Sequence, residues 1–225
     1  MTNGTASLAE LFAETPEELR RQALSHSSWV DKRTESYGRL AFLGDSVLGL
    51  SVATLLFEGH PDADIGELTK ILNQAVSGRA CAEVARGMEL PQLLSREAPD
   101  QGDGLPVNTL LASERTLASV CEAVIGATYM AHGFERTSEA VVEAFGEEIE
   151  QATRERMDFK SELQERLARD GDTVDYEIAN EDGPPHDRRF EIRATVAGDE
   201  LGIGSGRSKK EAEQAAARRA LERLR

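Results

Sequence analysis

Residues 37–48 read YGRLAFLGDSVL, and this stretch decides how the first part of the chain is interpreted. From Leu40 onward its apolar residues recur at helical spacing, and they continue as far as Phe57. The stretch therefore predicts a largely buried helix over residues 39–57. Asp45 lies inside this helix, where an ionised carboxylate is unfavourable unless it is paired with a cation or binds a metal.

A second carboxylate lies in a comparable setting. Residues 120–127 read VCEAVIGA, so Glu122 is surrounded by apolar and small residues that would let another helix approach closely. Two carboxylates facing each other would repel, and a hard divalent cation such as Mg²⁺ removes this repulsion because it takes oxygen ligands. The alternative is a structural ion pair with Arg39 or Arg115, and the residues alone leave both interpretations open.

The chain up to about residue 150 predicts mainly helices separated by loops. One helix begins at Pro16, whose missing N–H group does no harm in a first turn. Further helices are predicted over Glu67 to Arg86 and over Thr109 to Ala131, and the breakers within residues 99–106 mark a polar loop between them. This part is therefore expected to be all-α, with residues 5–150 as one domain.

The pattern changes after a polar segment at residues 151–156, which contains no helix breaker. We interpret it as a linker at the domain boundary, and a helical extension is the alternative. Alternation of apolar and polar residues then predicts strands, and a helix is predicted on either side of them. The order is α-β-β-β-α, a small α+β domain over residues 157–225. The predicted elements are a helix at 158–169, strands at 174–178, 190–196 and 201–206, and a helix at 209–224.

Composition limits the class of protein. The chain has 225 residues, of which 40% are apolar and 30% charged, which is typical of a soluble globular protein and excludes disorder throughout. We expect neither export nor a membrane span, since the longest largely apolar stretch, Leu48 to Phe57, is too short to cross a bilayer. Cys81 and Cys121 are in no metal-binding pattern and are expected to be reduced core residues of a cytoplasmic protein.

The net charge of −15 argues against a nucleic-acid ligand, but the charge is unevenly distributed. Residues 1–157 carry a net charge of −12 and residues 158–225 one of −3. Residues 207–225 hold seven basic and three acidic side chains, so a basic surface is possible there.

Three stretches are similar to motifs of the ribonuclease III family. Residues 37–48 closely resemble its signature NERLEFLGD followed by Ser or Ala, Val and Leu. Residues 23–29, ALSHSSW, resemble its ALTHRSY element, and residues 117–127, LASVCEAVIGA, resemble its LADxxEAxIGA helix. The order and separation of the motifs also match, so the resemblance covers residues 15–150.

This resemblance implies a function. It implies an all-helical catalytic domain that pairs with a second copy and an endoribonuclease that cleaves double-stranded RNA in the processing of rRNA and mRNA precursors. It further implies Mg²⁺-assisted hydrolysis, with Mn²⁺ possible, which leaves 5′-phosphate and 3′-hydroxyl ends with short 3′ overhangs. Asp45 and Glu122 would be the catalytic residues and the metal ligands.

The metal-ligand set is smaller than that of the family. Four carboxylates build the family's site, whereas Ala41 and Ser119 occupy two of those positions here and Gly38 replaces the Glu that opens the signature. Two carboxylates can still position one Mg²⁺, which keeps several waters and takes substrate phosphates as ligands, so we expect catalysis with weaker metal affinity. The rival hypothesis is a dimeric double-stranded RNA-binding protein that cleaves poorly or not at all.

The second half resembles a double-stranded RNA-binding domain. The resemblance lies in residues 158–165, DFKSELQE, in residues 183–190, and in residues 204–217, GSGRSKKEAEQAAA. Such a domain recognises a duplex by shape, through two minor grooves and the intervening phosphates. The implied contacts are Ser161, Gln164 and Glu165 in one minor groove, His186 in the second, and Lys209 and Lys210 at the phosphates.

Overall fold

The computed structural model describes residues 6–99, 104–156, 158–184 and 188–224. These residues form two compact units that divide between residues 153 and 154. His186, expected in the second minor groove, lies outside the described residues. The fold class expected from the sequence is confirmed: the first unit is helical, and the second combines three antiparallel strands with two helices.

The first unit begins with two short helices and then contains the long helix predicted from residues 39–57. In the described residues its helices are α1 Leu8–Glu14, α2 Glu17–Ala23, α3 Gly38–Gly59, α4 Ile65–Ala75, α5 Gly78–Gly87, α6 Leu90–Glu97, α7 Val107–Leu111, α8 Glu114–His132, α9 Phe134–Ala144 and α10 Gly146–Arg156, with a 3-10 turn at Arg33–Glu35.

Polar side chains define several of these helix ends. At α4, the Asp64 carboxylate accepts from the backbone N–H of Glu67 at 2.8 Å, and the Glu67 carboxylate accepts from the backbone N–H of Asp64 at 2.9 Å. The two residues therefore form a capping box, which satisfies backbone donors that the helix leaves free. The C-terminal end of α8 is at Gly133, which has a φ of 80°, a backbone conformation that favours glycine.

Two sequence predictions of helix boundaries are wrong, and a third segment is settled between two alternatives. The helix predicted over Glu67 to Arg86 is interrupted because Ser77 caps a new helix, α5, by accepting from the Ala80 N–H. Ser113 starts α8 in the same way, so the helix predicted from Thr109 begins later. Residues 151–156 continue α10, which is the helical extension that the sequence left open beside a linker, because this polar segment contains no Gly or Pro to end the helix.

The core of the first unit lies between α3 and α8. Val120, Cys121, Val124 and Ile125 of α8 are fully buried, and Leu48 and Val52 of α3 are buried with them. Eleven of the 19 residues of α8 are buried, so this helix is covered on most sides. It can therefore hold polar groups in fixed positions relative to α3.

By length and composition α3 could cross a membrane, because it has 22 residues. The apolar stretch from Leu48 to Phe57, which the sequence indicated as too short for a membrane span, is only a part of it. In its most apolar 18-residue window, 44% is buried inside the fold. The central helix of a water-soluble fold has the same properties, so a single such helix among the described residues is weak evidence for a membrane segment.

The second unit is a three-stranded antiparallel sheet in the order β1-β2-β3, covered on one face by two helices. Its core is formed by Leu163, Leu167, Ile192, Ala194, Ala216, Ala217, Ala220 and Leu221. A Cβ atom at Gly204 would lie 2.1 Å from the Ala216 nitrogen, so β3 runs directly against the backbone of the last helix. The elements are α11 Phe159–Ala168, β1 Asp175–Asp182, β2 Arg189–Val196, β3 Asp199–Gly206 and α12 Lys209–Arg223.

Candidate active site and RNA-binding surface

Two glycines bring α3 and α8 into backbone contact. A Cβ atom at Gly44 would lie 1.7 Å from the carbonyl oxygen of Glu122, and one at Gly126 would lie 2.2 Å from the carbonyl oxygen of Leu40. Neither position can hold a side chain unless the helices separate. Asp45 directly follows Gly44, so this contact positions it next to the segment of α8 that carries Glu122.

The two carboxylates are close enough to repel. Glu122 is half-buried and Asp45 is exposed. Burial, followed by the negative charge of Asp45, raises the pKa of Glu122 to about 7. Because the charge of Asp45 acts on Glu122, the structure brings together the two carboxylates that the sequence singled out.

The structural ion pair that the sequence left open is not observed. Among the described residues, neither Arg39 nor Arg115 forms an ion pair with Asp45 or Glu122, although ion pairs occur elsewhere in the first unit. Two neighbouring carboxylates without a cationic partner match the oxygen ligands that Mg²⁺ prefers. In the same described residues no group of three or more potential ligand side chains is present, so the donor set fits one ion completed by water or phosphate oxygens.

The positions without carboxylates lie on the same two helices. Ala41 is 6% exposed, Ser119 is half-buried one turn before Glu122, and Gly38 is exposed at the start of α3. Glu35 is on the surface, where its carboxylate lies 3.8 Å from the Lys32 ammonium group. The described structure therefore shows no carboxylate that replaces the missing ones at this face.

An aromatic cluster that the sequence did not indicate lies beside this site. The ring centroid of His26 lies 5.7 Å from that of Tyr37 and 6.1 Å from that of Trp29. The Trp29 indole donates to the Leu105 carbonyl at 3.0 Å, and the Leu105 N–H donates to the Ser28 hydroxyl at 3.0 Å. These bonds tie the motif at residues 23–29 to the loop before α7.

Tyr37 joins this cluster to the charged groups. Burial raises the pKa of its phenol, the positive charge of Arg115 lowers it, and the negative charge of Glu122 raises it. The phenol is therefore within electrostatic range of both charges. A signal for Tyr37 was present in the sequence, because it stands where the signature that it resembles has Asn.

The predicted RNA contacts of the second unit lie on its two helices. Ser161, Gln164 and Glu165 are exposed on α11, and the Ser161 hydroxyl donates to the Asp158 carboxylate at 2.7 Å. Lys209 and Lys210 are exposed in the first turn of α12, where the Ser208 hydroxyl accepts from the Glu211 N–H.

Polar contacts hold α11 against α12. The Lys160 N–H donates to the Gln214 side chain at 3.1 Å, and the Lys160 ammonium group pairs with Glu213. The Gln214 amide also donates to Asp158 at 3.1 Å, and this hydrogen bond is the main reason that the pKa of Asp158 is lowered. The exposed residues of α11 and the lysines of α12 thus belong to one rigid arrangement.

Both parts of the chain match known families. Residues 16–149 match the family described as Ribonuclease-III-like, and residues 159–224 match the double-stranded RNA binding motif. The protein named Ribonuclease 3 from Anoxybacillus flavithermus is 41% identical over 218 residues, which cover 92% of this chain and 88% of that protein. Ribonuclease 3 from Streptomyces coelicolor is 39% identical over 208 residues, which cover 91% of this chain and 74% of that protein.

A solved structure supports the assignment of the first unit. The nuclease domain of ribonuclease III from Campylobacter jejuni is 26% identical, with a TM-score of 0.52, and the match covers 65% of this chain and 96% of that one. The motifs, the helical unit with its paired carboxylates and the α-β-β-β-α unit all agree with these matches. The chain therefore belongs to the ribonuclease III family, as a ribonuclease III-like domain followed by a double-stranded RNA-binding domain.

Proposed function

We propose that Asp45 and Glu122 hold the divalent cation with which this ribonuclease III-type endoribonuclease cleaves double-stranded RNA. The observation that supports the proposal is the electrostatic contact between the two carboxylates, which raises the pKa of Glu122 to about 7. In the described residues no basic side chain pairs with either of them. Mg²⁺ is the expected cation, and Mn²⁺ should substitute for it.

The two carboxylates have different roles. The backbone of Glu122 is fixed by the contact between α3 and α8, and its half-buried side chain starts from this fixed point. Asp45 is exposed and can face the substrate. When bound, the cation supplies an acidified water molecule and offsets the charge of the scissile phosphate.

A proton on Glu122 opposes binding of the cation. Its carboxyl holds a proton below about pH 7, and it must lose this proton to act as an anionic ligand. Asp45 and Glu122 are the two carboxylates of the site, and positions 38, 41 and 119 carry none. The affinity for Mg²⁺ should therefore be weaker than in a site with four carboxylates.

The second unit is proposed to hold the duplex. Its double-stranded RNA binding motif supports binding, and Ser161, Gln164 and Glu165 are exposed where they can contact a minor groove. Lys209 and Lys210 can contact phosphates. A role for His186 in the second minor groove remains a prediction.

We further propose that the enzyme is a homodimer formed through α3. Phe42 is 79% exposed and Phe57 is 71% exposed, and both lie with Leu50 on one face of this helix. Beside Phe42 is a cleft of about 860 Å³ that includes Leu19 and Met130 in its wall. A two-fold axis would place Phe42 of each copy against the same apolar surface of the other, which would remove these large side chains from water.

A cytoplasmic location is also proposed. Cys81 and Cys121 are buried and free, as expected for a protein of a reducing compartment.

The experiment is a cleavage assay on long duplex RNA with Mg²⁺ or Mn²⁺, combined with binding measurements in Ca²⁺. Glu122→Gln should abolish cleavage and leave duplex affinity nearly unchanged, because the exposed residues of α11 and α12 are untouched. Glu139→Gln is the matched control, since Glu139 is exposed on α9.

Unchanged cleavage by the Glu122→Gln variant would refute the proposed site. If the parent protein binds duplex RNA but cleaves none with either metal, the rival hypothesis of an RNA-binding protein is correct.

A further inference from the structure

Arg115 lies on the same face of α8 as Glu122. This helix begins at Glu114, and positions 115, 119 and 122 are separated by four and three residues, so their side chains leave the helix on one side. At roughly 1.5 Å per residue, the Arg115 backbone is about 10 Å from that of Glu122 along the axis. Arg115 is exposed and Ser119, between them, is half-buried.

The electrostatics of Tyr37 place the charge of Arg115 near the beginning of α3. Tyr37 directly precedes α3, and the charges of Arg115 and Glu122 both act on its phenol. The charge of Arg115 therefore acts on the same phenol as the charge of Glu122, at the beginning of α3, where Gly38 stands in the position of a signature carboxylate.

Arg115 is not used in an ion pair. Some exposed arginines of the first unit are paired with glutamates: Arg79 lies 3.3 Å from Glu148, and Arg86 lies 2.8 Å from Glu83. Within the described ranges Arg115 has no carboxylate partner. Its guanidinium group is thus free to receive an anion that comes from outside the chain.

The chemistry of the site indicates which anion. Positions 38, 41 and 119 contribute no carboxylate, so this end of the site is too poor in oxygen ligands to hold a second divalent cation. A guanidinium group carries a permanent positive charge, and its planar donors match the oxygens of a phosphate in a bidentate contact.

We propose that Arg115 contacts the scissile phosphate of the RNA and supplies a fixed positive charge beside the cation held by Asp45 and Glu122, at the end of the site where positions 38, 41 and 119 carry no carboxylate. This inference rests on the proposed function. Arg115 would act on the substrate directly, and its guanidinium group would stay charged throughout the reaction.

The test compares Arg115→Ala, Arg115→Gln and Arg115→Lys with a control, Arg86→Ala, which removes the same charge from a surface pair on α5. Single-turnover cleavage is measured with enzyme in excess over duplex RNA. Loss of a charged donor at a reacting phosphate should slow Arg115→Ala and Arg115→Gln by on the order of 100-fold. Arg115→Lys should recover part of the rate because it keeps the charge, and Arg86→Ala should cleave like the parent.

Two measurements do not depend on activity. Duplex binding in Ca²⁺ should change little in Arg115→Ala, because Lys209 and Lys210 are untouched. Mn²⁺ binding to the free protein, followed by electron paramagnetic resonance, should stay equal or become up to roughly fivefold tighter, because a positive charge near the ion has been removed. Glu122→Gln, in contrast, should lose both Mn²⁺ binding and cleavage.

The outcomes separate this inference from the proposed function. If the parent cleaves and Arg115→Ala and Arg115→Gln cleave at the same rate, Arg115 does not contact the phosphate, and the Asp45 and Glu122 site still stands. If Arg115→Ala loses Mn²⁺ binding together with cleavage, Arg115 organises the metal site and the inference is wrong. A parent protein that cleaves no duplex overturns both.

Discussion

Gly44 packs directly against the carbonyl oxygen of Glu122, with no space between them for a methyl group: a Cβ atom at Gly44 would lie only 1.7 Å from that oxygen. The contact is backbone to backbone, so no side-chain rotation can relieve a clash. The spacing of α3 and α8, and with it the position of Asp45 relative to Glu122, depends on this glycine.

Gly44→Ala should therefore destabilise the protein by about 3 kcal/mol in urea unfolding, since overpacking a rigid contact is costly. Gly87→Ala, at the C-terminal end of α5, is the control. No neighbouring atom lies within 4 Å of a Cβ at Gly87, so this change should leave the free energy of unfolding unchanged or raise it by up to about 1 kcal/mol through helix propensity. Equal effects of the two substitutions would contradict the close contact.

The raised pKa of Glu122 should make the metal-free protein less stable as pH rises. The folded protein keeps a proton on Glu122 up to about pH 7, whereas the unfolded chain releases it near 4.5. Because the folded state binds more protons between these values, this contribution is complete below pH 4.5 and is lost as pH approaches 7. Urea unfolding in EDTA at pH 5 and pH 7 should show that Glu122→Gln removes this decrease, whereas Glu139→Gln retains it.

Restoring the absent carboxylates should strengthen metal binding. Ala41→Glu combined with Ser119→Asp should lower, several-fold, the Mg²⁺ concentration that gives half-maximal cleavage, because added anionic oxygens bind a hard cation. Ala41 is 6% exposed, so Ala41→Glu alone should be less stable than the parent without metal, whereas half-buried Ser119 should tolerate Asp better. An unaltered Mg²⁺ dependence in a folded double variant would show that these positions do not face the metal.

Lys209 and Lys210 should govern the salt dependence of duplex binding despite the net charge of −15. Exposed charges further apart than about 8 Å are screened at physiological salt, so the acidic first unit need not cancel a local basic surface. Replacing both lysines by Ala should weaken binding to all duplex sequences about equally and lower the slope of log affinity against log salt by up to ~2.

The control for this prediction is Arg223→Ala, at the opposite end of α12, where the guanidinium group donates to the Glu200 carbonyl at 2.9 Å. The slope of log affinity against log salt for Arg223→Ala should equal that of the parent protein. A parent-like slope in the double lysine variant would mean that neither lysine contacts a phosphate.

Phe42 should hold the proposed dimer together. Phe42→Glu introduces a charge into the exposed apolar face of α3, so sedimentation equilibrium should show a monomer at concentrations where the parent is dimeric. Ile178→Glu is the control, because Ile178 is also an exposed apolar residue but lies on β1 in the second unit. Identical association of parent and Phe42→Glu would exclude this face as the interface.

Much of the fold followed from local patterns in the sequence. Helical spacing from Leu40 onward predicted α3 to within a few residues of Gly38–Gly59, and strand alternation predicted the order of the second unit. These features are readable because a helix or a strand repeats its buried side every few residues. Motif resemblance named Asp45 and Glu122, and the family matches confirm the motifs.

Other features required the folded chain. The helix starts after Ser77 and Ser113 each depend on a serine hydroxyl that accepts a hydrogen bond from the backbone N–H three residues later. The spacing of apolar residues does not reveal such a hydrogen bond. Burial of Ala41, one helical turn before Asp45, depends on which side of α3 meets α8.

The electrostatics of the site were decided by tertiary structure alone. Glu122 has its raised pKa because α3 and α8 meet at two glycines and exclude water from part of its carboxyl. The charges of Arg115 and Glu122 act on the Tyr37 phenol only because the start of α3 lies beside the first turns of α8. The sequence determines which charged groups are present and how they are spaced along each helix. The desolvation and the Coulomb energy of these groups depend on distances between segments that are far apart in the chain. Those distances arise only when the helices pack.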